Sequence, residues 1–330
     1  MQTKKVLVTG ASGFIGRELV AELAREGMEV FVLIRRETKA SSAGGPAASS
    51  PRVVVGDVRN YEEVAAALRH RRVDVVVHLA AVVQRSGTKA SSQIYLKTNL
   101  GGTINICRAC LEAGVKRLVH ISSADVHGPG SFGRLIDEQC PYAPMTDYEV
   151  SKAAADKFVL DYAKKGLETI VLRPTLVYGH PCSTFFRWLF RYAGSRLIPV
   201  LGDGLTLKHF VHLTDLLECI LLAMESPLTG RAYIVADGSP LTINRLLVTV
   251  SSVVNREGKL IHLPAHRDAI MNLSKLLPWR LGYSTSWFFI NRAYRTDAAR
   301  AELGYSPRVD LREGLADLFG MMRCKKRLEA

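Results

Sequence analysis

Apolar and polar positions alternate in blocks along the first half of the chain, and these blocks predict strands and helices in turn. Helical spacing of apolar residues predicts helices at Arg17–Gly27, Tyr61–Leu68, Lys97–Ala113 and Tyr148–Lys165. Short, mostly apolar runs predict buried strands at Val6–Thr9, Val30–Ile34, Arg52–Val55, Val73–Leu79, Arg117–Ile121, Thr169–Leu172 and Ala232–Ala236. This alternation is typical of an α/β fold, a doubly wound parallel sheet covered by helices on both faces.

After Arg173 the regular alternation fades, and helices mix with the returning strand and an aromatic-rich stretch. We therefore predict a nucleotide-binding domain over residues 1–178 with a return segment at 206–236. A smaller α/β substrate domain is predicted over 179–205 and 237–330. The small, polar stretch Ala40–Pro51 predicts a surface loop.

Composition narrows the functional classes. The net charge of +13 favours anionic ligands, but the basic residues are spread along the chain and no nucleic-acid-binding module is visible. No run approaches the roughly 18 apolar residues of a membrane span, and no signal peptide is evident, so the sequence predicts a cytoplasmic protein. Cys107 and Cys110 form a C-x-x-C within a predicted helix, which we interpret as two buried apolar residues; no metal site is predicted.

The glycines Gly10, Gly13 and Gly16 stand between the first predicted strand and the first predicted helix. Glycines at these positions allow a tight turn and let backbone N–H groups approach a pyrophosphate at the helix N-terminus. The alternative is a glycine-rich turn with packing duties only. In this context the pattern favours dinucleotide binding.

The end of the second strand selects between NAD and NADP. A carboxylate there accepts hydrogen bonds from a ribose 2′-hydroxyl, whereas arginine suits a 2′-phosphate. The chain has Arg35 and Arg36 at this point. We predict a preference for NADP(H), with NAD(H) as the alternative. The two arginines are also compatible with ordinary surface residues that have no role in cofactor binding.

Tyr148 and Lys152 have the i, i+4 spacing that places both side chains on one face of a helix. A neighbouring positive charge lowers a tyrosine pKa from its usual value of about 10, as proton transfer to or from a substrate hydroxyl requires. Ser122 and Ser123 follow a predicted strand, the place where open α/β sheets position their chemistry. Alone, Tyr-x-x-x-Lys is also compatible with an ordinary amphipathic helix.

Together these motifs resemble the extended short-chain dehydrogenase/reductase superfamily. That group includes nucleotide-sugar epimerases and dehydratases, dihydroflavonol reductases and 3β-hydroxysteroid dehydrogenases. His127 replaces the tyrosine usual in the serine motif. The resemblance runs nearly end to end, through Thr9–Gly16, Gly56–Val58, His78–Ala81, Asn99 with Gly102 and Thr103, Ser122–Gly128, Tyr148–Lys152, Leu172–Gly179, Gly202–Leu216 and Leu303–Pro307.

The resemblance implies roles for individual residues. Tyr148 would be the general acid/base, Lys152 would lower its pKa and bond the nicotinamide ribose, and Ser123 would hold the substrate oxygen. Phe14 and Ile15 would cover the pyrophosphate through their backbone. The remaining implied cofactor contacts are Asp57 and Val58 at the adenine, and Leu79, Ala80, Ala81, Asn99, Pro174 and Thr175.

The substrate is less clearly indicated. Nucleotide-sugar epimerases carry asparagine where this chain has Leu176, and the stretch 282–290 lacks their diphosphate-binding arginine, although Arg280, Arg292 and Arg295 flank it. The aromatic and basic stretch 263–294 resembles the region that binds an apolar ketone or alcohol. Two alternatives are a small second core and a patch for a membrane surface. The candidate substrate residues are Gln84, Ser123, Leu176, Lys208 and Arg292.

Three functional hypotheses follow. The first is reversible hydride transfer between NADP(H) and a secondary alcohol or ketone of small-molecule size. The second is a nucleotide-sugar epimerase or dehydratase with tightly bound NAD(P), and the third is a non-catalytic cofactor-binding scaffold. The resemblance also implies a homodimer that pairs through the helices predicted at 97–113 and 148–165. His209 and His212 could contact substrate, and His120 is predicted to be a hydrogen-bonded core residue.

Overall fold

The computed structural model describes residues 3–35, 50–83, 91–131, 134–180, 184–265 and 287–328. Arg36, Gln84 and Arg280, three residues named above, lie outside these ranges, as does most of the aromatic and basic stretch. Within them, seven parallel strands form one sheet with helices on both faces. The predicted doubly wound α/β fold is confirmed.

The central sheet consists of the strands β1 Lys5–Thr9, β2 Glu29–Ile34, β3 Arg52–Val55, β4 Val75–His78, β5 Arg117–Ile121, β6 Glu168–Pro174 and β11 Arg231–Val235. Their order in the sheet is β11-β6-β5-β4-β1-β2-β3, and every neighbouring pair is parallel. The direction of winding reverses between β1 and β4, where such sheets leave a crevice for a ligand at the carboxyl ends of the strands. All seven predicted strands are present, with boundaries shifted by at most two residues.

Helices and short strands complete the chain. The helices are α1 Phe14–Arg25, α2 Tyr61–Arg69, α3 Ser92–Tyr95, α4 Gly102–Glu112, α5 Asp147–Ala163, α6 Thr184–Ala193, α7 Leu213–Glu225, α8 Ile243–Val253, α9 Asp297–Leu303 and α10 Leu311–Leu328. Three two-stranded sheets pair β7 Leu176–Tyr178 with β10 Phe210–His212, β9 Leu207–Lys208 with β12 Leu241–Thr242, and β8 Leu197–Leu201 with β13 Lys259–Leu263.

Apolar side chains on the two faces of the central sheet form two large cores. A third core lies in the second half of the chain and is built from α6, β8, α8 and α10, with Phe186, Phe190 and Leu315 among its buried members. These separate cores are compatible with the predicted two domains, whose boundaries stay a prediction.

The helix predicted at Lys97–Ala113 begins earlier and is irregular. It starts at Ser92, passes through a π-helical segment at Leu96–Gly101 and continues as α4. A π-turn inserts one extra residue into a helix and occurs often at functional sites. Here the segment carries the buried Asn99. The resemblance implies that Asn99 contacts the cofactor, so the π-helical turn coincides with a predicted site residue.

Cys107 and Cys110 lie fully buried in α4, and burial raises the pKa of the Cys107 thiol to about 12. This agrees with their interpretation as buried apolar residues. None of the helices in the described ranges is long and apolar enough to cross a membrane.

Candidate active site

The glycine loop closes against the end of β4. Gly10 has a φ of +71°, a conformation that favours glycine, and a β-carbon there would lie 2.7 Å from the backbone nitrogen of Ala80. At Gly16 a β-carbon would lie 2.3 Å from the carbonyl oxygen of Gly10. Both glycines are therefore required for the close approach of loop, helix and strand.

The N-terminus of α1 is free to bind an anion. Gly13 is its N-cap and supplies no side-chain hydrogen bond, and the first turn, which contains Phe14 and Ile15, holds no acidic residue. The first backbone N–H groups of a helix lack partners within the helix, and the helix dipole favours negative charge near them. This end of α1 fits the pyrophosphate of a dinucleotide.

Two arginines and a carboxylate meet at the outer end of this crevice. Arg35 is exposed just beyond β2, and Asp57 follows β3. Arg59 donates to Asp57 from Nε at 2.9 Å, and Arg59 and Arg35 both help to lower the pKa of that carboxyl. A second carboxylate, that of Glu63, accepts from the backbone N–H of Asp57 at 2.7 Å, so two cations and two carboxylates lie where the sequence predicts the adenosine end of the cofactor.

The segment after β4 is fixed by buried polar contacts. Thr9 Oγ1 lies 2.7 Å from His78 Nδ1 and accepts from the backbone N–H of Ala80 at 3.2 Å. Asn99 accepts from the N–H of Val82 at 2.8 Å and donates to Ser151 Oγ at 2.9 Å. The π-helical segment thus ties the loop that contains Leu79, Ala80 and Ala81 to the helix that carries Tyr148.

Ser123 and Tyr148 are brought together as predicted. Ser123 lies just beyond β5, while α5 begins at Asp147 with a capping box between Thr146 and Glu149. The Ser123 side chain lies close enough to Tyr148 to favour the phenolate, although its effect on the tyrosine pKa is smaller than that of burial. A hydroxyl pair of this kind can hold one substrate oxygen between them.

The pKa of Tyr148 is raised, chiefly because burial disfavours the phenolate, and Asp125 and Glu149 add to the rise. Tyr95 packs edge-on against the Tyr148 ring, with 6.2 Å between centroids. Tyr148 is therefore protonated at neutral pH in this structure. That Lys152 lowers its pKa stays a prediction.

Lys152 is buried one turn further along α5. Its ammonium donates to the carbonyl oxygen of Ile121 at 2.6 Å, and burial lowers the pKa of Lys152 to about 8. Asp156, another turn along, opposes that decrease. At neutral pH Lys152 therefore keeps most of its charge.

A buried polar network that sequence reasoning missed surrounds this lysine. Arg173 Nε donates to Asp156 at 2.9 Å, and Arg173 Nη1 lies 3.1 Å from His127 Nε2. Burial lowers the pKa of His127 to about 4, so its neutral ring accepts that bond. The repeat of Tyr148, Lys152 and Asp156 at intervals of four residues was a signal that could have pointed to the carboxylate.

His120 departs from its prediction. It is buried in β5 as expected, but neither ring nitrogen has a hydrogen-bond partner among the residues that the structure describes, and Nε2 lies 3.7 Å from Asp156 Oδ1. The expectation of a hydrogen-bonded core residue is therefore wrong. Its ring instead lies among Lys152, Asp156 and Arg173, where burial keeps it neutral.

The stretch after β6 leaves the strand that pairs with β5, at the carboxyl edge of the sheet. Thr175 is buried, and its Oγ1 has no hydrogen-bond partner in the structure. Pro174, which precedes it, is buried as the last residue of β6, whereas Leu176 is 44% exposed. A buried hydroxyl without a partner is a fitting contact for the amide of a nicotinamide ring.

Two predicted substrate residues are engaged within the protein. The buried Lys208 ammonium donates to the carbonyl oxygens of Trp287 and Ile290, each at 2.6 Å. Arg292 forms ion pairs with Asp125 and, at 2.9 Å, with Glu149. Arg292 thereby reaches residues next to Ser123 and Tyr148, and its charge is neutralised there.

The two histidines proposed to contact substrate serve the fold. His209 is buried, lies 3.3 Å from the carbonyl oxygen of Asp237 and accepts from the N–H of Tyr294 at 3.4 Å. His212 caps α7 by accepting from the N–H of Thr214. Their contacts explain both positions without a substrate.

Four features lie at the carboxyl edge of one parallel sheet. They are the glycine loop, the free N-terminus of α1, the unpartnered Thr175 hydroxyl and the group formed by Ser123, Tyr148 and Lys152. Together they fit a nicotinamide dinucleotide with its reacting end at Tyr148. Fold and site thus define a class, the nicotinamide-dependent enzymes of the extended short-chain dehydrogenase/reductase type.

The family follows from comparison with known proteins. Residues 6–236 match the model of the NAD dependent epimerase/dehydratase family. The chain belongs to this family, and the resemblance stated from its motifs is confirmed.

Related proteins include catalysts of different reactions. A 4-hydroxy-2-methyl-3-oxo-4-farnesyl-3,4-dihydroquinoline-1-oxide ketoreductase of Stigmatella aurantiaca is 26% identical over 324 residues, 94% of each chain. A 3-beta-hydroxysteroid dehydrogenase of Mycolicibacterium neoaurum is 29% identical, over 95% of this chain and 90% of its own. Among solved structures, MoeE5 in complex with UDP-glucuronic acid and NAD is 27% identical, with a TM-score of 0.74 over 97% of this chain and 99% of its own.

Proposed function

We propose that this protein is an oxidoreductase that transfers hydride between a nicotinamide cofactor and the carbon of a secondary alcohol or ketone. Tyr148 acts as the acid/base, Ser123 holds the substrate oxygen, and Lys152 supplies positive charge. The observation that carries the proposal is the position of Ser123 beside Tyr148, with the buried Lys152 one helical turn away.

The protonation state of Tyr148 supports the reductive direction. When a ketone accepts hydride at its carbon, its oxygen gains negative charge and needs a proton. Burial keeps the Tyr148 hydroxyl protonated, so it can donate that proton. The bound cofactor supplies the hydride, and the residues of this chain orient the carbonyl and deliver the proton.

The engaged cations support an apolar substrate. A nucleotide sugar carries a diphosphate, which is recognised by positively charged groups with free donors. Lys208 and Arg292 satisfy their donors on carbonyl oxygens and carboxylates of the protein. Leu176, exposed beside the site, presents an apolar surface in their place.

A nucleotide-sugar epimerase or dehydratase is the second candidate. It is favoured by the similarity to MoeE5, whose structure holds UDP-glucuronic acid and NAD. In such an enzyme the cofactor is regenerated at each turnover and need not leave the protein. The two candidates therefore differ in whether the cofactor is consumed.

We further propose a preference for NADP(H) over NAD(H). Arg35 and Arg59 lie at the adenosine end of the crevice, and the carboxylate of Asp57 is already paired with Arg59. A guanidinium suits a 2′-phosphate. Arg36 belongs to this proposal from its place in the sequence alone.

A homodimer through α4 and α5 is also part of the proposal. Ile94 and Leu96 just before α4, Leu111 in α4 and Val150 in α5 are all more than a third exposed. Exposed apolar side chains on the helices that would pair are compatible with a four-helix interface. A cytoplasmic location stays a prediction.

The test is to incubate the purified protein with NADPH or NADH and a panel of apolar ketones, and separately with UDP-glucose. We expect oxidation of NADPH with at least one ketone, slower oxidation of NADH, and loss of that preference in Arg35→Ala. Conversion of a nucleotide sugar without net cofactor consumption would establish the second candidate instead.

A further inference from the structure

Helix α6 has an unusual outward face. Its inward side buries Phe186, Leu189 and Phe190 in the third core. The outward side carries Trp188, which is 37% exposed and stacks on Tyr192 with 5.0 Å between ring centroids. Large aromatic side chains on a surface helix point to contact with something other than water.

The small sheet next to α6 extends this face. Tyr192 donates its hydroxyl hydrogen to the carbonyl oxygen of Pro199 in β8. In β8, Ile198 and Val200 are buried while Leu197 is 55% exposed. The parallel partner β13 ends at Leu263, which is 41% exposed.

Further aromatic rings extend this surface toward the N-terminal end of α6. Phe185 lies between Trp188 and Trp287, with centroid distances of 5.9 and 5.8 Å. Trp188 and Trp287 are themselves in edge contact at 6.4 Å. We call the surface made by Phe185, Trp188, Tyr192, Leu197, Leu263 and Trp287 the aromatic face.

The elements that form the aromatic face carry mainly positive charge. Residues 184–201 contain three arginines and no acidic residue, and β13 adds a lysine without an acid. Arg191, Arg196 and Lys259 are exposed, as are Asp203 and Glu257, which lie two residues beyond these elements. An apolar surface with an excess of cations complements a layer that is apolar inside and negatively charged at its boundary.

We propose that the aromatic face binds the surface of a membrane that contains anionic phospholipid. Tryptophan and tyrosine rings favour the interface between headgroups and acyl chains, where an apolar ring meets a polar edge. Arg191 and Arg196 would contact lipid phosphates. Each basic residue near the membrane surface contributes an attraction of about 1 kcal/mol, which adds to the free energy gained by burying the rings.

This binding gives the proposed reaction a source of substrate. An apolar ketone or alcohol partitions into membranes, so an enzyme held at the lipid surface meets it at high local concentration. That consequence rests on the proposed function, whereas the membrane binding itself does not. The two are therefore tested by different measurements.

The test is co-sedimentation of the full chain with vesicles of phosphatidylcholine alone or mixed with phosphatidylglycerol. We expect sedimentation with the mixed vesicles, weakened by added salt because surface charges are screened. Trp188→Ser combined with Leu197→Ser should weaken binding by about tenfold, the equivalent of about 1.4 kcal/mol. Arg191→Glu combined with Arg196→Glu should weaken it at least as much.

Matched controls separate the aromatic face from general properties of the chain. Val53→Ser removes an exposed apolar side chain far along the sequence, at β3, and Arg69→Glu with Lys116→Glu makes the same charge change elsewhere. Both should sediment like the unchanged protein. The face variants should keep the circular dichroism spectrum and the urea midpoint of the unchanged protein, which shows that they are folded and keeps this test independent of the reaction.

Several results would overturn the proposal. One is the absence of sedimentation with mixed vesicles, and another is equal sedimentation of face and control variants. Shielding of Trp188 from a soluble fluorescence quencher in the absence of lipid would indicate that the face is covered by residues 266–286 or by a second copy of the chain. That result would also contradict membrane binding.

Discussion

Single side chains at this site are controlled mainly by burial. Lys152 is buried and Tyr148 is partly buried, and burial shifts the pKa of each group toward the neutral form. Asp125 and Glu149 reinforce the shift at the tyrosine, but Arg292 neutralises them. The residue-scale result is a protonated phenol beside a lysine that keeps most of its charge.

Removal of one hydroxyl should test the proposed acid. Tyr148→Phe keeps the ring and its contact with Tyr95 but has no proton to donate. We expect kcat to fall by about 100- to 10,000-fold, while the Kd for NADPH changes little. Stopped-flow and fluorescence titration measure the two quantities, and an undiminished kcat would exclude Tyr148 as the acid.

Asp237 offers a test of burial at a second residue. Burial raises its pKa to about 8, and its Oδ2 has no hydrogen-bond partner. The folded state therefore binds the proton more tightly than the unfolded chain, whose aspartate pKa is about 3.9. Between these two values stability decreases as pH rises, because the folded state keeps the proton and unfolding releases it, which becomes more favourable as the proton concentration falls.

Asp237→Asn removes this cost. We expect the variant to be more stable than the unchanged protein by about 1 to 3 kcal/mol at pH above the Asp237 pKa, with a gain that shrinks toward acid pH. Urea unfolding at a series of pH values measures it. Asp203→Asn, at an exposed aspartate, should leave the pH dependence unchanged; a constant gain at all pH values would contradict the raised pKa.

At the scale of elements, α5 organises the chemistry. One face of this helix carries Tyr148, Lys152 and Asp156 at successive turns, and Ser151 on the same helix receives the bond from Asn99. The π-helical segment before α4 provides the turn that directs Asn99 inward. Two helices and the loop after β4 are thereby locked in one arrangement.

Asp156 is the carboxylate of α5 that stabilises the charged form of Lys152. Lys152, Arg173 and His120 surround it, and it opposes the decrease of the lysine pKa. In Asp156→Asn we expect the pKa of Lys152 to fall below its value of about 8. The alkaline limb of the kcat profile should move to lower pH by the same amount.

The control for this variant is Asp161→Asn, at the exposed end of the same helix, which should leave the profile in place. Asp156→Glu should restore part of the shift. NMR titration of the Lys152 side chain, assigned with Lys152→Met, measures the pKa without any reaction. A uniform loss of rate with an unmoved profile and pKa would mean that Asp156 has a structural role only.

Much of this arrangement was predictable from local patterns. Continuous apolar runs predict the seven strands because a parallel sheet is buried on both faces. Glycines at Gly10 and Gly16 predict the close approach that their surroundings require. The pairing of Arg292 with Asp125 was not predictable, because residues 167 positions apart meet only through tertiary packing, here of Tyr294 against Ala124 and Ile136.

At the scale of the whole molecule, Arg292 joins the two halves of the chain. It lies in the second half, yet its ion-pair partners follow β5 and begin α5. This part of the chain is therefore tied to the residues around Ser123 and Tyr148 by a largely buried cation. We infer that this contact holds the crevice in shape rather than binding a ligand.

Arg292→Met should destabilise the fold because it leaves two carboxylates without their cation. We expect a loss of about 2 kcal/mol in the free energy of unfolding, less than for a fully buried pair. Arg295→Met, at an exposed arginine, should cost almost nothing. If Arg292→Met leaves stability unchanged but abolishes nucleotide-sugar binding, the arginine is a ligand contact and the apolar-substrate proposal fails.

The most direct measurement follows the hydride itself. NADPH in which both hydrogens of the reactive nicotinamide carbon are replaced by deuterium is incubated with the enzyme and a ketone that it accepts, and the product is analysed by mass spectrometry and NMR. We expect one deuterium on the new carbinol carbon, one NADP+ released for each product, and loss of both in Tyr148→Phe. A product without deuterium, or turnover with the cofactor unchanged, would contradict it.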